Sequence, residues 1–112
     1  MNNKQIITDE DVDKAVDFLR NTAEQSAKYK AERVYLDEYR KSLKALLMKN
    51  HLDLPVSAQE REAYASPVYI QHLETLKVAI ERDEKQRFLR VAAEAKIEAW
   101  RSMSANIRAI KI

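Results

Sequence analysis

The chain has no glycine and no cysteine, and only two prolines, Pro55 and Pro67. Glycine is the usual residue for positive φ, tight hairpin turns and phosphate-cradling loops. Its absence argues against most nucleotide-binding loops and elbow-type catalytic architectures. Without cysteine there are no disulfides, thiolate zinc sites or thiol nucleophiles. No apolar run approaches the ~20 residues that a membrane span requires, and the polar start lacks a signal-peptide core. A soluble, cytoplasmic protein without membrane partners is therefore expected. Histidine is scarce too: His51 and His72 have neither metal-ligand spacing nor an accompanying nucleophile pattern, so they read as a corner residue and a surface residue.

What is present is helical. With 46% apolar and 34% charged residues, the 112-residue chain resembles helix-rich domains. The 20 Lys and Arg nearly balance the 18 Asp and Glu, but unevenly. Residues 1–24 hold six acids and three bases, whereas residues 85–112 hold seven bases and two acids. The two ends differ in sign.

After a lead over residues 1–7, Thr8 and Asp11 form a capping box, with Ile7 and Val12 as its hydrophobic staple. Asp9, Glu10, Asp11 and Asp13 then place negative charge at the positive end of the helix dipole. A first arm is predicted over about 9–49, on a stripe of Val12, Ala15, Val16 and Leu19, then Val34, Leu36, Tyr39, Leu43, Leu46 and Leu47. Between these stretches lie Ala23, Ala27 and Ala31, a small-residue row that would permit close helix approach. Thr22-Ala-Glu-Gln25 is a second capping-box pattern, so the arm either runs unbroken or breaks near Asn21 and folds back. Lys41, Lys44 and Lys49 suit its C-terminal end, and Asn50 is placed to cap it.

Residues 50–66 read as the corner. Ser57-Ala-Gln-Glu60 suggests a cap for a short helix reaching Tyr64, and Ser66-Pro67 starts the second arm, over about 67–109. That arm carries Tyr69, Leu73, Leu76 and Ile80, then Leu89, Ala93, Ile97, Trp100, Ser104 and Ile107. Between the two stripes the expected seam falls on Asp83, Glu84 and Arg87, so a strict heptad is not expected to hold. The architecture that follows is all-α, a long antiparallel helical hairpin in a single domain. Its apolar stripes are too extensive for one hairpin to cover, so a homo-oligomer is expected to complete a bundle.

The segments Tyr39-Arg-Lys-Ser-Leu-Lys-Ala45, Ala58-Gln-Glu-Arg-Glu-Ala-Tyr64 and Ala92-Ala-Glu-Ala-Lys-Ile-Glu-Ala-Trp-Arg-Ser102, with Asn106 and Arg108, resemble small proteins of tailed phages and prophages. The resemblance covers about two-thirds of the chain. Such proteins are encoded in early gene clusters with recombination and replication functions. The resemblance carries no biochemical activity or residue roles. It implies a context: an early phage protein in the host cytoplasm, near DNA metabolism or directed against the host.

Among candidate sites, Lys96, Trp100, Arg101, Asn106 and Arg108 combine an aromatic for base stacking with cations for phosphate. Trp100 also lies on the Leu89, Ala93, Ile97 stripe, which is first of all a packing face. Tyr35 and Tyr39, one turn apart, fit either an interface or packing near the corner. Asp9, Asp13 and Asp17 fit a partner surface, although helix-start electrostatics already accounts for most of that cluster. No nucleophile, base and oxyanion donor assemble, and no metal or cofactor is expected. The expected function is non-catalytic binding of DNA or a DNA-handling protein. The rival is an inhibitor or adaptor of a host protein.

Overall fold

A computed structural model describes residues 7–111, so residues 1–6 of the expected lead lie outside the described residues. Helix makes up 91% of them, and they contain no strand. The elements are α1 (Asp9–Asn21), α2 (Ala23–Met48), a 3-10 turn (Lys49–His51), α3 (Val56–Tyr64) and α4 (Pro67–Lys111). The fold is the all-α helical hairpin expected from the sequence.

The predicted capping box at the start of α1 is observed. The Asp11 N–H donates to Thr8 Oγ1 at 3.1 Å, and the Thr8 N–H donates to Asp11 Oδ2 at 3.0 Å. These reciprocal bonds satisfy donors that a helix start otherwise leaves open. They hold the Asp11 carboxyl below the usual aspartate range, with the backbone bond from Thr8 as the largest cause. At the other end the first arm does break, at Thr22. In place of the predicted second capping box, the Thr22 hydroxyl donates back to the Phe18 carbonyl at 2.6 Å and accepts from Arg90 at 2.8 Å.

The described residues form two compact units, 7–26 with 85–111, and 27–84. In the second unit, α2 turns Tyr29, Arg33, Leu36, Arg40, Leu43 and Leu47 inward. The first stretch of α4 turns in Tyr69, His72, Leu76, Ala79 and Asp83. Glu32 pairs with Arg82, while Leu36, further along α2, meets His72, earlier on α4, so the two helices run antiparallel. In the first unit, Val12, Ala15, Leu19, Thr22 and Ser26 are turned inward, as are Gln86, Arg90, Ala93, Ile97, Trp100 and Ser104 of α4. Arg90 bonds Leu19 and Thr22 while Trp100 bonds Asp9, which is again antiparallel.

Alternating steps of three and four residues run through both lists, which corrects two sequence expectations. The heptad is sustained on α4, but its middle positions are the polar residues Asp83, Gln86 and Arg90. An apolar stripe search breaks at Asp83, Glu84 and Arg87, whereas the seven-residue count does not. The Ala23, Ala27, Ala31 row faces solvent. The seam beside it consists of Thr22, Ser26, Tyr29 and Arg33, whose polar groups hid it from an apolar pattern.

The corner forms without any positive-φ residue. α2 ends at Met48, not Asn50, and passes into the 3-10 turn; Lys41 and Lys44 are engaged by Glu38 and Glu60 rather than by the α2 C-terminus. α3 starts two residues earlier than the Ser57 box predicts. Pro55, extended at ψ 156°, is its N-cap, and its carbonyl accepts from the Ala58 and Gln59 N–H groups. The Gln59 amide donates to the Leu54 carbonyl at 2.8 Å, and Glu60 is drawn away to Lys44. α4 starts as predicted, with the Val68 N–H on Ser66 Oγ and Pro67 at the first helical position.

Among the described residues, four of the seven buried apolar residues are alanines, Ala15, Ala63, Ala79 and Ala93, beside Leu43, Tyr69 and Leu76, and no large side chain is fully enclosed. Most large apolar groups therefore bury one side only, and polar seam contacts fix pairing where apolar area is thin.

Candidate functional site

In the first unit, Trp100 occupies a seam position of α4 and is half-buried. Its indole N–H donates to Asp9 Oδ1 at 3.1 Å. It is thus neither an enclosed core residue nor a free stacking platform. The bond also joins two separate sequence candidates, since the acidic start of α1 meets the basic end of α4. Lys96 is exposed and draws the Asp11 carboxyl down by its charge, behind the larger effect of Thr8.

Beyond Trp100 a surface depression of about 330 Å³ is lined by Glu98, Trp100, Arg101, Ser104 and Arg108, among others. Arg101 and Arg108 are exposed and seven residues apart, roughly 10 Å along the axis. Arg101 pairs with Glu98 at 2.7 Å, with both groups largely in solvent. Such pairs contribute about 0–1 kcal/mol, so the guanidinium can exchange Glu98 for another anion at little cost. Asn106 is exposed but is not among the lining residues. Asp13 is also exposed, and Asp17 pairs with Arg20 at 2.6 Å. Only Asp9 of the three acids meets the basic end.

In the second unit Tyr35 and Tyr39 stack with centroids 6.0 Å apart. Tyr39 then packs on the His72 ring, while Tyr35 is 65% exposed. His72 is a half-buried seam residue rather than a surface one, and its Nε2 lies 2.7 Å from the Leu36 carbonyl oxygen. His51 lies in the corner as expected.

Sequence reading missed a second concave site at that corner. Arg40, Lys41, Lys44, Ala45 and Met48 of α2 face Tyr64 and Tyr69 around a depression of about 380 Å³. Tyr64 and Tyr69 meet edge to face at 5.2 Å, and the Lys44 ammonium sits 5.1 Å from the Tyr64 ring centre. Lys44 is held above the usual lysine value by its bond to Glu60 at 2.6 Å, then by Tyr64. Arg40 is raised by Asp37 first and Tyr69 second. The one-turn spacing of Lys41 and Lys44 was legible; that Tyr64 comes opposite them depends on the corner.

Among the described residues no group of three His, Asp or Glu is placed to hold a metal ion, and no helix is long and apolar enough to cross a membrane. No family model, curated protein or solved structure matches this chain.

Proposed function

We propose that the protein is a non-catalytic accessory factor of phage DNA recombination or replication, self-associating, and binding nucleic acid through the end of α4. The observation that carries this reading is the depression that gathers Trp100, Arg101 and Arg108. Exposed guanidiniums at a half-buried aromatic supply the two elements of sequence-tolerant single-strand binding, phosphate neutralisation and a surface for a base. The acidic start of α1 meets this end, and Asp9 bonds Trp100. The local field is therefore weaker than the seven-to-two charge count suggests, and affinity rests on Arg101 and Arg108 rather than on long-range attraction.

Replacing both arginines by alanine is expected to weaken single-strand binding and lower the log-log salt slope by roughly 0.7 per lost phosphate contact, with helicity unchanged. Unaltered affinity at low salt would remove nucleic acid as the ligand of this surface. A second reading, an inhibitor or adaptor of a host protein, draws on the exposed apolar row Ile70, Leu73 and Ile80 of α4. A helix face of that kind suits a partner helix. Pulldown from host extract with and without Leu73→Lys and Ile80→Lys tests it.

A further inference from the structure

We propose that the corner of the second unit is a nucleotide subsite, taking one nucleotide of a single strand with its phosphate at Lys41 and Arg40 and its base against Tyr64 and Met48. It shares a ligand class with the reading above and none of its residues.

The lining carries three cations and no acid. Asp37, Glu38 and Glu60 engage these cations but do not line the depression. They differ in strength. Lys44 and Glu60 are 2.6 Å apart and partly shielded, so this pair is a fixed part of the wall. Lys41 and Glu38 are 3.5 Å apart, with side chains 79% and 66% exposed. An ion pair so exposed contributes little, which leaves Lys41 free to turn to a phosphate.

The apolar part of the site is equally specific. Tyr64 is 48% exposed, although Tyr69 and Lys44 both contact it. Tyr69 is buried and engaged with Arg40, so the pair is braced from below and Tyr64 presents a fixed rather than a swinging ring. Rigid aromatic area loses little entropy on binding, and stacking needs no particular base. Met48 adds an adaptable apolar edge. Phosphate is gripped here by side chains rather than by backbone amides, so the lack of glycine, which excludes a phosphate-cradling loop, does not bear on this site.

The test is titration of the full chain with a short labelled oligothymidylate, followed by anisotropy and by backbone amide shifts. Residues 40–48 and 64–69 are expected to shift. Tyr64→Leu is expected to weaken binding about fivefold or more, and Lys41→Glu to weaken it and flatten the salt slope. These corner shifts are expected to persist in the Arg101→Ala, Arg108→Ala variant, so failure of the α4 surface and failure of the corner are separately visible. Two results overturn the subsite: wild-type affinity in Tyr64→Leu, or inorganic phosphate shifting the same amides as strongly as the oligonucleotide. Should Tyr64→Leu lose helicity, the solvent-facing Lys41→Glu decides, and unchanged affinity there overturns it too.

Discussion

Asp83→Asn tests whether the polar middle of the seam holds the helices together. Arg33 Nε donates to Asp83 Oδ2 at 2.5 Å, with side chains 32% and 12% exposed. The pair lies between two measured regimes. Exposed ion pairs contribute about 0–1 kcal/mol, whereas removing one partner of a fully buried pair costs about 3–5 kcal/mol. Asparagine keeps the shape and an acceptor but removes the charge, leaving a half-shielded guanidinium facing a neutral amide. The expected loss is about 2 kcal/mol, which for a chain of this size lowers Tm by about 10 °C. Urea denaturation followed by far-UV circular dichroism reads it, at fixed protein concentration because self-association would shift the midpoint. The companion variant, Arg33→Leu with Asp83→Leu, fills the same heptad positions with apolar groups. It is expected to match or exceed wild-type stability, because it removes the desolvation cost with the charges. Asp83→Asn within about 0.5 kcal/mol of wild type, the scatter of neutral surface changes, would show that the pair holds nothing together. A double-leucine variant as unstable as the single one would refute the seam assignment itself.

Two further expectations follow from the first unit. Trp100→Ala is expected to cost about 1–3 kcal/mol, less than the ~3–5 kcal/mol of an enclosed aromatic, because Trp100 is only half-buried; Trp100→Phe, which loses mainly the bond to Asp9, is expected to cost about 1 kcal/mol or less, and denaturation midpoints separate the two. The Asp11 carboxyl is depressed in the folded chain, so its contribution is present above the ordinary aspartate value of about 3.9 and is lost as pH falls through the lower folded value; amide protection at Thr8 and Asp11, taken relative to the intrinsic exchange rate at each pH, is expected to fall only below that pH, and loss of protection already near neutrality would refute the cap's role.

How much of this was legible depended on whether a signal was local. The α1 capping box, the Ser66-Pro67 start and the end of α3 at Tyr64 rest on neighbouring residues, and each appears where the sequence placed it. The seam was harder to read because its identity is spacing without hydrophobicity. Arg33, Asp83, Gln86 and Arg90 occupy heptad positions; partners on the facing helix make Arg33, Asp83 and Arg90 tolerable there, whereas the buried Nε2 of Gln86 has no hydrogen-bond partner. The same applies to Thr22, whose hydroxyl had two possible uses: capping α2, or bonding the preceding turn while accepting from Arg90. Local pattern favours the first and the facing helix decides the second. Trp100 was legible as a seam residue, but its tie to Asp9, 91 positions away, was not.

The absence of glycine and the corner site are connected. A tight helix-to-helix reversal commonly uses a left-handed residue, for which glycine is suited. This chain has no positive-φ residue among those described and reverses by another route. A 3-10 turn tightens the end of α2, Pro55 extends the chain, α3 inserts a short helix, and Ser66-Pro67 starts α4. The longer route places a helix where a tight turn would have left only backbone. That helix carries Glu60 to Lys44 and Tyr64 to the edge of Tyr69. Ala63, with no exposed surface, packs α3 down and fixes the position of its neighbour Tyr64. The depression between α2 and the two tyrosines thus follows from turning without glycine, and a shortened glycine turn in place of residues 50–66 would abolish it while sparing the seam.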